Sequence, residues 1–165
     1  MMSDVRDDGG FRKSLIVVAI TVLLEACSPA APELTPELSA ALQAQAFVIA
    51  CQDLGCLGSP VYSRDTTPND VRAAIAAVHA GEVTYLSGEQ LDKLLDDRGL
   101  YADGGTSIAV FEARLLKADV VGVDVFSGHG SFDVVGRTVL FHWNGSEWLG
   151  ATPDEVGITV TSAVS

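Results

Sequence analysis

Positive charge is what this 165-residue chain has least of: 10 Lys plus Arg stand against 22 Asp plus Glu, a formal charge of −12. Nucleic-acid binders gain affinity by neutralising phosphates with basic side chains, so no nucleic-acid partner is expected. Proline and glycine number 6 and 16 and follow no fixed period, which excludes collagen and low-complexity structure. Wholesale disorder is excluded too, because 48% of the residues are hydrophobic and only 19% charged. Internal repeats are absent. This length allows one ordinary domain and leaves little room for a second.

The apolar run near the N-terminus is too short to span a bilayer. Ser14 to Leu24 reads Ser-Leu-Ile-Val-Val-Ala-Ile-Thr-Val-Leu-Leu, eleven residues without a charge. As a helix it covers about 16 Å, half of a ~30 Å hydrocarbon core. Arg12 and Lys13 precede it and Glu25 closes it. A short apolar segment behind a basic one is the layout of a secretory signal peptide. A buried core helix would fit the length but not the flanks.

The run ends in Leu24-Glu25-Ala26-Cys27, which resembles the lipobox of bacterial lipoprotein precursors. Leu24, Ala26 and Cys27 match that pattern, while Glu25 stands where the family usually has a small or apolar residue. The resemblance implies acylation of the Cys27 thiol by chains such as palmitate, cleavage just before Cys27, and acylation of the new N-terminus. Two or three chains hold a protein firmly, since each buried methylene contributes about 0.8 kcal/mol and one chain alone is marginal. Residues 1–27 are then a signal peptide with a lipobox-like end. The mature protein is exported and anchored by lipid to the cell membrane or the outer membrane. Cleavage after Ala30 would instead release a soluble secreted or periplasmic protein, and failure of all cleavage would leave a short membrane anchor.

Export places the three cysteines in an oxidising compartment, where an odd count needs an explanation. With Cys27 carrying lipid, Cys51 and Cys56 remain and are expected to form a disulfide around Gln52-Asp53-Leu54-Gly55. Redox pairs usually have the C-x-x-C spacing, and a zinc site would need two further ligands.

Past Cys27, residues 28–35 hold Pro29 and Pro32 among Ala and Glu and read as an extended tether. Residues 36–165 are expected to form one small α+β domain, with helices first and a mainly antiparallel sheet after them. Thr35 as N-cap and Pro36 at the first helical position start a helix carrying Leu38, Leu42, Ala46 and Ile49 on one stripe. It is expected to end near Asp53, with Gly55 as a left-handed cap. Val61-Tyr62-Ser63 reads as a strand. Thr67 is expected to cap a second helix with Val71, Ile75 and Val78 inward and Gly81 at its end. Val83 to Leu86 is a strand candidate, and Ser87 with Gln90 is a capping box, followed by inward Leu91, Leu94 and Leu95 until Gly99. Beyond residue 105 the period alternates. Strands are expected at Ile108–Glu112, around Val121, Val123 and Val125, at Val134–Trp143, at Glu147–Ala151 after an Asn144-Gly145 hairpin, and at Val156–Thr161.

This order resembles a group of uncharacterised bacterial exported proteins and lipoproteins, through Val61-Tyr62, Gly136-Arg137-Thr138 and Asn144-Gly145 to Trp148. That resemblance implies a fold and an address. It carries no activity and no catalytic residue.

Catalytic motifs are missing. His79, His129 and His142 share no metal-ligand spacing, so no metal and no cofactor is expected. Gly128-His129-Gly130-Ser131 is not the G-x-S-x-G elbow, and Asp103-Gly104-Gly105 lacks the lysine of a phosphate loop. Asp92, Asp96 and Asp97 beside Lys93 and Arg98 read as a solvated helix face. Removing residues 1–27 takes away four acids (Asp4, Asp7, Asp8, Glu25) and three bases (Arg6, Arg12, Lys13), so −12 becomes −11. Such a surface repels anionic headgroups, and membrane residence must come from the acyl chains. The expected function is an envelope lipoprotein whose domain binds a protein or small-molecule partner without catalysis. The alternatives are an enzyme assembled around the turn 127–133, with Asp124, His129 and Asp133, or a structural spacer.

Overall fold

The computed structural model describes residues 29–160 and the short strand Ala163–Val164. The signal-peptide reading, the lipobox and Cys27 lie outside the described residues. The first helix, α1, spans Pro36–Leu54 with Pro at its start, and the Thr35 hydroxyl accepts the Leu38 N–H at 3.2 Å. At its other end Gly55 takes the left-handed conformation (φ +66°). Its N–H donates to Gln52 O and that of Cys56 to Cys51 O, both at 3.1 Å. These two bonds make a Schellman motif, in which the fourth-last helical residue usually touches the second residue past the end. Here those two residues are Cys51 and Cys56, and a disulfide with Cα atoms 5.3 Å apart replaces the usual apolar contact.

The expected α+β domain is present. After α1 come β1 (Val61–Arg64), α2 (Asn69–Val78), β2 (Val83–Leu86), α3 (Gly88–Asp92) and β3 (Thr106–Val110). Then follow β4 (Arg114–Lys117), β5 (Val120–Gly128), β6 (Val134–Trp143), β7 (Trp148–Ala151), α4 (Pro153–Val156) and β8 (Ala163–Val164). The sheet order is β2-β1-β3-β5-β6-β7, with β4 also pairing β5 and β8 also pairing β6. β1 runs parallel to both β2 and β3, and every other pairing is antiparallel. The parallel pairs exist because α2 and the α3 segment carry the chain back across the sheet, as parallel pairing demands. Among the described residues no helix is long and apolar enough to cross a membrane.

One face of the sheet carries the main core. Val121, Val123 and Val125 of β5 point there with Ile108 and Phe141 and meet Leu42, Ala46 and Phe47 of α1 and Ile75 of α2. Alternation on β5 sends Gly122, Asp124 and Phe126 to the other face. That face is covered in two separate places. Tyr62, Leu91 and Tyr101 pack together near α3, and Val120, Leu140 and Val156 pack together under Ile158 and Val160. The strip between them is open, and Phe111 and Phe126 meet edge to face there at 5.5 Å, both half-exposed.

Several local expectations are corrected. Pro68, not Thr67, precedes α2, because Thr67 is buried with its hydroxyl 3.4 Å from Ser63 Oγ. The helix ends at Val78 with His79 as its cap, short of Gly81, and Val78 is exposed. The strand expected at Ile108–Glu112 is Thr106–Val110, and β4 was not foreseen. Over the described residues 156–160 the strand expected at Val156–Thr161 is not formed. Thr152 and Glu155 build a capping box around one helical turn, and Val156, Ile158 and Val160 cover the sheet without pairing into it. Of the stretch 28–35, the described residues 29–35 form neither helix nor strand, and they do not stand free. From Pro29 onward they lie on the domain, with Ala31 and Leu34 against the core and the Trp143 Nε1–H donating to Pro29 O at 3.1 Å.

Candidate functional site

The turn 127–133 is a backbone junction. The Tyr101 N–H donates to His129 O and the Ser131 N–H to Gly99 O, both at 2.8 Å, and Leu100 bridges Gly130. A Cβ on Gly130 would fall 2.0 Å from Gly99 O, so only glycine admits this crossing. The three groups expected to meet there do not. Asp124 lies within β5 while His129 sits in the bend just past its end, five residues on and about 17 Å away along the strand direction. His129 Nδ1 lies 3.1 Å from the Thr106 hydroxyl. Asp124 accepts from the Thr138 hydroxyl at 2.5 Å and from Arg114 at 3.1 Å. Partial burial raises its pKa most of any single effect, but the Thr138 and Arg114 bonds together prevail and hold it below the usual carboxylate value. Asp133 is exposed, and the Ser131 hydroxyl lies 3.4 Å from Gly99 O.

The other histidines are also apart. His79 turns its edge to Phe47 with ring centres 5.5 Å apart, and its Nε2 is buried without a partner among the described residues. His142 Nε2 stands 3.2 Å from Asp119 Oδ2 at the hairpin end of the sheet. Among the described residues no three His, Cys, Asp or Glu side chains gather as metal ligands.

The concave feature that the topology builds lies elsewhere. β1 hands its chain to β2 on one side and has β3 on the other, so the strand order reverses at the β1–β3 boundary. In open sheets with parallel strands, ligands bind in the crevice outside the carboxyl ends at such a reversal. A half-open cleft of about 490 Å³ occupies that position. Its apolar wall includes Leu34, Val71, Val110 and Phe111, and its polar groups include Arg64, Thr66, Asp70 and Glu112. Arg64 is the last residue of β1 and also borders a smaller cleft of about 280 Å³ on the other face, toward α3.

Arg64 differs from the other basic side chains. Arg72 donates to the backbone of Asp65 and Thr67, Lys117 to Val156 and Gly157, and Lys93, Arg98, Arg114 and Arg137 pair with carboxylates. Among the described residues Arg64 alone of the arginines and lysines has neither a side-chain hydrogen bond nor an ion pair. A Cβ on Gly88 would stand 2.7 Å from its guanidinium, so the absence of a side chain there leaves it room. Toward the amino ends of β1 and β3 the Tyr62 hydroxyl donates to Asp103, and burial with that bond pushes its pKa up to about 12.

Sequence reasoning gave Arg64, Thr66, Asp70, Phe111 and Glu112 no binding role. The one local signal was a polar strand-to-helix turn, Arg64-Asp65-Thr66-Thr67-Pro68, directly after an apolar strand. No family model, curated protein or solved structure matches this chain.

Proposed function

We propose that this protein is an envelope lipoprotein, held on its membrane by acyl chains on Cys27, whose α+β domain binds a ligand in the cleft at the carboxyl ends of β1 and β3 and performs no chemistry on it. The observation that carries the binding reading is Arg64, which lines that cleft, sets its guanidinium against Gly88 beside the smaller cleft toward α3, and has no side-chain partner among the described residues, in a chain of net charge −12. A guanidinium without a carboxylate partner, beside apolar walls, suits a ligand with an anionic group on an apolar body. The Leu24-to-Cys27 pattern supports the anchoring reading, and a cleft at the strand reversal favours a binder over a spacer.

Two measurements test the two halves. Replacing Cys27 by Ser is expected to move the protein from the membrane fraction to the soluble one, and unchanged fractionation would remove the lipid anchor. For the cleft, the detergent-solubilised processed protein is titrated with a set of small amphipathic carboxylates and amines while backbone amide shifts are followed. The expected shifts cluster at Arg64–Val71 and Ala109–Ala113, come from carboxylates, and vanish in Arg64→Gln. A response centred elsewhere, or one unchanged by that substitution, would refute the assignment.

A further inference from the structure

The tie between Pro29 and the β6–β7 hairpin fixes which end of the domain an anchor on Cys27 would hold. The Pro29 carbonyl accepts the Trp143 indole N–H at 3.1 Å, and the Pro29 ring lies 3.5 Å from where a Cβ of Gly145 would sit. Ala31 and Leu34 continue the docking into the core, so this attachment is part of the domain. Only Ser28 separates Pro29 from Cys27. Two residue steps of fully extended chain reach about 7 Å, which is about the thickness of one headgroup layer.

We infer that the hairpin end of the sheet, formed by the Ala118–Asp119 turn and the Asn144–Glu147 loop beside Pro29, is a membrane-facing surface whose occupant is the lipid headgroup layer. This rests on acylation of Cys27. The chain is too short at that point for the domain to stand off the bilayer or to turn another end toward it. Ala118, Asp119, Asn144, Ser146 and Glu147 are exposed and mostly polar, so the surface rests among headgroups and does not enter the acyl region. β3 runs antiparallel to β5, which starts beside this hairpin, and β1 runs parallel to β3. The carboxyl ends of β1 and β3 therefore point the same way, and the cleft with Arg64 opens on the membrane side of the domain.

The chain's two tryptophans, Trp143 and Trp148, pair across this hairpin with ring centres 5.8 Å apart and make intrinsic fluorescence a depth gauge. The full-length protein is expressed, extracted as processed by the cell, checked by the mass of its N-terminal peptide, and reconstituted into phosphatidylcholine vesicles. One set of vesicles carries nitroxide on headgroups and the other carries it deep in the acyl chains. With a reach of about 7 Å, headgroup nitroxide is expected to quench emission about twofold and acyl-chain nitroxide little. A Gly/Ser insert of about twenty residues between Ser28 and Pro29, spanning about 25 Å, is expected to abolish the quenching while membrane association persists. A bimane on Phe132→Cys, exposed in the turn at the opposite end of β5, is expected to stay unquenched. Acylated protein whose tryptophans are not quenched, or are quenched equally with the insert, would overturn the orientation and leave the anchor standing. An unmodified Cys27 would overturn both.

Discussion

Arg64 and Tyr62 stand two residues apart on β1 and face opposite fates. Arg64 projects at the strand's end without a partner among the described residues, whereas Tyr62 is buried against Tyr101 and its hydroxyl is committed to Asp103. Burial first, then the bond to Asp103 and its charge, raise the Tyr62 pKa from 10.0 to about 12. The neutral phenol is thus the form the fold prefers. Its contribution to stability is fully present below the unfolded value of 10.0 and is lost as pH rises through about 12. Asp103→Asn removes the charge and keeps the shape, while the burial remains. Tyr62 is then expected to ionise between 10.0 and about 12, so a spectrophotometric tyrosinate titration is expected to lose its latest step and gain an earlier one. An unchanged titration would mean that Asp103 does not govern this hydroxyl.

At the scale of elements, α1 was legible because its signals are all local. Thr35 and Pro36 open it, Gly55 closes it, and Leu38, Leu42, Ala46 and Ile49 all reach the core. The same holds for β6 and its hairpin. The elements that were misread are those set by distant partners. Val156, Ile158 and Val160 alternate as a strand would, yet they fill the space over Val120 and Leu140, and β6 is paired beside that region by β7 and β8 instead. β4 carries an exposed Leu115 and offers no pattern until β5 stands beside it. The cleft was illegible for the same reason, since a reversal of strand order is a property of the assembled sheet and no residue near Arg64 announces it. The cysteine pair, by contrast, was readable from compartment arithmetic, and the Schellman bonds show why its position suits a staple. Closing a loop this short is worth about 2 kcal/mol in the chain-entropy model. Cys51→Ala combined with Cys56→Ala is expected to lower unfolding free energy by that amount in a denaturant titration, with α1 retained because Gly55 still caps it. Loss of helical circular dichroism in the folded baseline would show that the bond forms the helix end rather than secures it.

On the scale of the whole molecule, the segment before α1 decides whether the domain, under the proposed lipid anchoring, would be a body on a leash or a body resting on its anchor. Composition alone argued for a leash, because Pro29, Pro32 and Pro36 keep the chain extended whatever it touches. Residues 29–35 form no helix or strand, but they are pressed onto the domain by Ala31 and Leu34 and by the Trp143 bond. Half-burying a leucine and an alanine and making one hydrogen bond should together contribute about 2 kcal/mol. A protein that begins at Thr35 is therefore expected to be less stable by about that amount than one that begins at Pro29, with both measured by equilibrium unfolding in urea. Trp143 emission should shift to the red in the shorter protein, because its indole N–H loses Pro29 and gains water. Equal stability with unshifted emission would return these residues to the status of a linker. The hairpin end would then no longer be bound to face the membrane, because the free segment would lengthen from one residue to several and the domain could turn about it.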